Sequence, residues 1–194
     1  GDGGVERPDY LQVLSPYRGE QFGTENLNVA LQQLFQPRAR SSTGQSRQML
    51  DGVMMFDKVI QTRNRYAKEW KALHAYNMTA RANEPVDVFN GQLGFVKPHG
   101  LDSKTWKTPY FRLERFQVVF ARRENLWVGY GSGLGKKNMS DPKSGWIVEQ
   151  KVEENLELAY AISVHRAQGS EFERVYFGVP KHKAALLWPE LFYT

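Results

Sequence analysis

The stretch "LAYAISVHRAQGSEFERVYFGVP", Leu158 to Pro180, decides how the chain is read. It looks like two buried strands separated by a polar insert that contains a glycine. Leu158 to Ile162 is a fully apolar run of the kind buried in a parallel sheet. The insert, His165 to Glu171, crowds His, Arg, Gln, Ser and Glu around Gly169, more chemistry than a chain reversal needs. In parallel α/β sheets ligands meet the chain just beyond the carboxyl ends of strands, where this insert falls. Ser163 and His165 can hydrogen-bond phosphates or bases, and Arg166 supplies positive charge. Gly169 permits a sharp turn or close backbone approach. Glu171 can accept from a ribose hydroxyl or orient a basic group. The plainer alternative is a polar cap over a strand end.

The chain before this stretch supports a parallel sheet. "YLQVL", Tyr10 to Leu14, reads as a short strand, and "SPYRGEQFG" as a loop punctuated by Pro16, Gly19 and Gly23. Thr24 is a candidate N-cap, with Leu27, Ala30, Leu31, Leu34 and Phe35 on one helical face and Pro37 as the stop. Strand, loop and amphipathic helix in that order make a β-α unit. Pro37 to Gln48 has no periodicity and reads as a basic loop. Asp57 to Tyr66 has a strand core at Val59 and Ile60. From Val86 the pattern changes to short β-rich runs between Gly, Pro and Asn turns ("PYFRLERFQVVFA", "NLWVGYG", "GWIVEQKV"), as in a small antiparallel barrel or sandwich. The simplest organisation is an α/β domain over residues 9–88 and 157–194, interrupted by a β module over 89–156.

Composition sets outer bounds. With 41% apolar and 13% aromatic residues among 194, the chain can bury a core. Its sequence has no run long enough to cross a bilayer and opens on no signal-like segment, so no membrane partner is expected. The chain has no cysteine, which excludes disulfides and thiolate metal sites and fits a reducing, cytoplasmic setting. The sequons at Asn77 and Asn138 carry no weight without a secretory signal. The formal charge is +5, and residues 36–71 alone hold eight basic side chains against three acidic ones, the same net excess. That clustering suits a polyanionic partner; a solvated face is the other reading.

Other motifs are weaker. "GYGSGLGKK", Gly129 to Lys137, fails as a phosphate loop, because Tyr130 and Lys137 stand where Gly and Ser/Thr are required. It reads better as a β-connection. His74, His99, His165 and His182 have no partners at metal-ligand spacing, and no G-x-S-x-G elbow occurs. Lys104 to Phe116 interleaves bases with Trp106, Tyr110, Phe111 and Phe116. That pattern suits stacking on single-stranded nucleic acid, or a barrel strand with inward aromatics.

The opening stretch resembles motif V of superfamily 1 DNA helicases of the RecD/TraA type, close to A-Y-A-I-T-V-H-K-S-Q-G-S-E-F. Two other blocks agree in order. "VLSPYRGEQFGTENLNVALQQLF", Val13 to Phe35, is similar to the first strand, loop and helix of that family's motor domain 2. "DKVIQTRN" with "VFNGQLGFV", within Asp57 to Val96, resembles its G-D-K-V-x-Q-x-x-N and F-N-G-x-x-G-x-V. The departures are Phe56 in place of the glycine before Asp57, a longer connection over Tyr66 to Pro85, and Ser163, Arg166 and Ala167 in place of Thr, Lys and Ser.

The resemblance implies a RecA-like parallel-sheet motor domain interrupted by an SH3-like antiparallel β-barrel, from a helicase translocating 5′ to 3′. An exonuclease V alpha-type subunit is one form of it. Walker A, the acidic Mg²⁺ motif and motif VI are not in the chain, which is therefore expected to be a C-terminal motor fragment, inactive alone as an ATPase. ATP and Mg²⁺ would serve the full-length enzyme. Gly169, Glu171, Arg63 and Gln61 would face ATP. Ser163, His165, Arg166, Gln168, Ser15, Asn64 and Asn90 would face single-stranded DNA. Gln61, Arg63 and Asn64 would reach that cleft by leaving a parallel strand of the same sheet. The implied partners are single-stranded DNA, motor domain 1 and exonuclease complex subunits. The rival class is a non-catalytic nucleic-acid or protein adaptor built on a degenerate helicase domain.

Overall fold

A computed structural model describes residues 7–35, 48–50, 53–54, 56–67, 74–77, 79–98, 115–123, 125–131, 135–137, 146–148 and 155–178. The chain runs β1 (Leu11–Ser15), α1 (Thr24–Phe35), β2 (Gln48–Leu50), β3 (Val53–Met54), β4 (Lys58–Gln61), β5 (His74–Asn77), β6 (Ala82–Pro85) and β7 (Leu93–Pro98). It continues through β8 (Arg115–Phe120), β9 (Leu126–Gly131), β10 (Gly135–Lys137), β11 (Trp146–Val148), β12 (Leu156–Leu158), β13 (Ala161–Ser163), α2 (Val164–Ala167) and β14 (Arg174–Phe177). No described helix is long and apolar enough to cross a membrane. The Pro37–Gln48 loop and most of Lys104–Phe116 lie outside the described residues. Both ends of "GYGSGLGKK" are strand, in β9 and β10, as a β-connection requires.

Two sheets carry the site. The first is parallel, in the order β13-β1-β14, with Val13 beside Ala161 on one side and Tyr176 on the other. This is the sheet the β-α pattern led us to expect. The second has seven strands in the order β12-β4-β7-β8-β9-β5-β6, and every pairing in it is antiparallel. It draws β4, β5 and β6, and all of β12 beyond Leu156, from outside the 89–156 module expected from composition. The expectation that β4 is a parallel strand is therefore corrected.

The reason lies in burial. All four residues of β4 are buried. Val59 joins one apolar cluster with Val88, Val96, Phe116, Val118 and Phe120. Ile60 points the other way, with Leu93, Ala159 and Ile162. Successive strand side chains face opposite sides, so β4 has antiparallel-sheet core on one face and the parallel sheet on the other. An apolar pair buried on both faces looks the same in sequence as a strand of a parallel sheet.

The Leu158–Ile162 run is likewise not one strand. It breaks at Ala159–Tyr160, sending β12 into the antiparallel sheet and β13 into the parallel one. Three polar side chains hold that break. Gln12 of β1, fully buried, donates through Nε2 to the Ala159 and Tyr160 carbonyls at 3.2 and 3.1 Å. Asn28 of α1 donates to the carbonyls of Leu158 (3.1 Å) and Ala161 (2.8 Å), and its Oδ1 accepts from the Ala161 N–H at 2.8 Å. Asp57, also fully buried, accepts from the Tyr160 hydroxyl (2.9 Å), the Met54 N–H (2.6 Å) and the Gln32 side-chain amide.

Lys58 completes the junction by donating to the Leu11 carbonyl at 2.7 Å and to Gln12 Oε1 at 2.8 Å. Burial lowers its pKa to about 7, against the opposing pull of Asp9. The "DK" of the second block is therefore the joint between the sheets.

Helix α1 differs from expectation in its orientation. Asn28 and Gln32 are its buried residues, whereas Leu34 and Phe35 are 68% and 58% exposed. Asn28 turns inward because the break in the β12–β13 run leaves backbone groups that an amide can satisfy and a leucine cannot, and Gln32 turns inward to the buried Asp57 carboxylate. The Phe35 ring stacks on Tyr160 at 5.6 Å. The cap also shifts by one residue. The Leu27 N–H bonds the Gly23 carbonyl at 2.9 Å, which makes Gly23, not Thr24, the capping residue. Only glycine fits there, since a Cβ would lie 2.2 Å from the Arg18 carbonyl oxygen.

Candidate functional site

The polar insert is set at the rim of the parallel sheet. After β13, Ser163 caps the single turn α2, its Oγ accepting from the Arg166 N–H at 3.2 Å. Gly169 follows with φ +76°, a left-handed conformation that a side chain strains. No atom lies within 4 Å of where a Cβ would stand on Gly169, so the constraint is backbone conformation and not crowding. Ala167 and Phe172 pack on the Ile60–Ile162 cluster and pin both ends of the bend. His165, Arg166, Gln168, Gly169, Ser170 and Glu171 are all exposed. A β14 that mostly faces solvent, with Tyr176 58% exposed, departs from the second buried strand expected there.

Two clefts meet at this bend. One, of about 440 Å³, is bordered by Arg18, Thr24, Glu25, Ser163, His165 and Arg166. The other, of about 500 Å³, brings Asn90, Gly91 and Arg122 against Gln168, Gly169 and Glu171. His165 and Arg166 border both. Ion pairs set the arginines. Arg166 takes both carboxylate oxygens of Glu157, and Arg122 Nη2 lies 2.8 Å from Glu171 Oε2. Arg18 Nε meets Glu25 Oε1 at 2.8 Å.

Of the residues singled out in sequence, Ser163, His165, Arg166, Gln168, Gly169, Glu171 and Asn90 line one cleft or both. Asn64 supports this group, its Oδ1 accepting from the Asn90 N–H at 2.8 Å. Ser15, Gln61 and Arg63 line neither cleft. Ser15 is buried, donating to the Phe22 carbonyl at 2.7 Å and accepting from the Tyr17 N–H at 3.2 Å, so it closes its own loop.

Gln61 is fully buried, its Nε2 donating to the Arg63 carbonyl (2.6 Å) and its Oε1 accepting from the Tyr130 hydroxyl (2.6 Å). Burial pushes the Tyr130 pKa up, against the pull of Arg65, so the hydroxyl stays a donor. Arg63 is exposed but leaves the antiparallel sheet, on a strand that does not share the rim of β13.

Sequence reasoning missed Arg18 and Arg122. Arg18 follows the carboxyl end of β1, so the strand-end rule applied to Leu158–Ile162 would have found it. Arg122 had no sequence signal. It reaches the cleft only because the β8–β9 turn is brought there by antiparallel pairing.

No protein-family model matches the chain. Over 208 aligned residues, covering all of this chain, it is 28% identical to the ATP-dependent RecD2 DNA helicase of Deinococcus radiodurans. The chain resembles a helicase from end to end. It is also 28% identical over 190 residues, 96% of its length, to the uncharacterized protein MJ1519 of Methanocaldococcus jannaschii. The chain spans 21% of the first relative and 14% of the second. The structure of unliganded Pif1 from a Bacteroides species covers 93% of this chain and 48% of its own, with a TM-score of 0.37 and 13% identity. The likeness to RecD2 supports a helicase-related domain.

Proposed function

We propose that this chain is the second motor domain, with its inserted β module, of a RecD/TraA-type DNA helicase that moves 5′ to 3′. In this reading it contributes single-stranded DNA contacts and one wall of the ATP cleft. One observation carries it: the exposed bend His165–Glu171 leaves a parallel strand and borders two clefts at once. A single bend touching both ligands transmits closure at one to contacts at the other.

His165, Ser163 and Gln168 contact the strand's phosphates and bases. Gly169 and Glu171 face the nucleotide, Gly169 through an open backbone and Glu171 through a carboxylate suited to ribose hydroxyls. The residues fit that partial role and no more. The sequence has no phosphate-cradling loop, and no cluster of three metal-binding side chains occurs among the described residues. Groups for the triphosphate and Mg²⁺ belong to the other motor domain, which also supplies hydrolysis.

Fluorescence anisotropy with oligothymidylate tests the reading. Binding to this chain is expected to be weak and to fall steeply with salt. His165→Ala should weaken it about three-fold or more, in line with loss of one charged or polar contact. Unchanged binding by that variant, or no binding by the wild-type chain at low salt, overturns the assignment.

A further inference from the structure

Arg122 stands out among the charged groups at the second cleft. It lies at the turn between β8 and β9 with φ +60°, a conformation that disfavours every residue with a side chain. Strain of this kind persists where the surrounding structure fixes it, and it gathers at ligand sites. From that turn its guanidinium spans to Glu171, 49 residues away on the motor bend. Both side chains are open to water, 68% and 84% exposed, so the pair is weak and exchangeable.

The same cleft holds Arg166, likewise paired with a carboxylate of this chain, Glu157. Asn90 and the left-handed Gly91 form its opposite lip. Planar guanidiniums take phosphate oxygens two at a time, with the same fork geometry they offer a carboxylate.

We infer that Arg122 is a phosphate-binding residue of the single-strand track, held in reserve by Glu171 until a backbone phosphate enters the cleft and takes the carboxylate's place. The inference rests on the reading of the His165–Glu171 bend as facing both strand and nucleotide. It adds a residue from the antiparallel sheet to that interface, and it makes Glu171 a group shared between two partners. When Glu171 turns to a nucleotide, its own competition with the strand for Arg122 ends, so filling one site favours the other.

The test uses the whole chain, labelled oligothymidylate and four variants, with circular dichroism as the check on folding. Arg122→Ala is expected to weaken binding about five-fold and to flatten the salt dependence by about 0.7 in log–log slope, one phosphate contact on a single strand. Arg122→Gln should behave as the alanine does. Glu171→Gln is expected to tighten binding about three-fold by removing the competitor. The double variant decides the matter: with Arg122→Ala present, Glu171→Gln should have no effect.

A Glu171→Gln gain that persists without Arg122 would reflect general charge and overturns the inference, as does unchanged binding by Arg122→Ala. A fluorescent ATP analogue separates the two sources of phosphate. Loss of its binding in Arg122→Ala, with oligonucleotide binding intact, assigns Arg122 to the nucleotide and overturns the strand assignment. If His165→Ala weakens binding while Arg122→Ala does not, the inference fails and the helicase reading stands.

Discussion

Replacing Asn28 with alanine should detach α1 from the break between β12 and β13. The amide makes three hydrogen bonds there, to the Leu158 and Ala161 carbonyls and from the Ala161 N–H. At about 1 kcal/mol net for each, their sum is about 3 kcal/mol. Alanine returns about 0.7 kcal/mol through better helix propensity. Asn28 also borders the 440 Å³ cleft, so water can reach part of the vacated space and relieve the stranded groups. The expected loss is therefore about 2 kcal/mol, or about 4–8 °C in Tm for a chain of this size.

Urea unfolding followed by tryptophan fluorescence measures it, with the midpoint falling and the slope m unchanged. Asn28→Asp sharpens the test. Its carboxylate keeps the bond from the Ala161 N–H but faces two carbonyl oxygens, which raises its folded-state pKa. A carboxyl with a raised folded pKa is least destabilising below its unfolded pKa, and that advantage is lost as pH rises through the folded value. The aspartate variant should therefore recover relative to alanine at pH 4 and fall behind asparagine at pH 7. An alanine loss below about 0.5 kcal/mol, or an aspartate as stable as asparagine at pH 7, would refute the amide's role as the clamp.

Two further perturbations follow from the junction. Phe56 has φ +68° where the helicase pattern carries glycine, so Phe56→Gly should be more stable than Phe56→Ala by about 1 kcal/mol in the same unfolding assay. The reverse order would show that this backbone is not strained. For Lys58, the folded pKa of about 7 lies below the ordinary lysine value of 10.5. Between these values the unfolded chain binds more protons, so stability should climb from pH 7 toward pH 10 as the burial penalty on the ammonium is relieved. Lys58→Met should lack that climb, and a matching rise in the methionine variant would assign it to other groups.

Much of the site was legible because it uses local signals. An apolar strand, a polar bend and a glycine at its tip appear in sequence as Leu158–Glu171, and the strand-end rule placed them. Pairing partners were harder to read. β4 was expected in the parallel sheet from the resemblance, and its apolar pair Val59–Ile60 could not correct that, since a strand between two cores shares this pattern with a strand in a parallel sheet. The helix face was misread for a related reason. Asn28 is inward because the chain breaks at Ala159–Tyr160, more than 130 residues later, and Gln32 because it meets the buried Asp57. Ser15 and Gln61 look like ligand contacts by type, yet Ser15 is spent on its own loop's backbone and Gln61 on the Arg63 carbonyl and the Tyr130 hydroxyl.

The handover at Ala159–Tyr160 has a practical consequence for anyone building chimaeras. Because β12 and β13 are consecutive in the chain and serve different sheets, no cut point separates the antiparallel sheet from the parallel one without severing the Lys58, Gln12 and Asn28 connections. A graft of the antiparallel sheet onto another parallel-sheet host must carry β4 and β12 with it, together with a host helix that presents an amide to their seam.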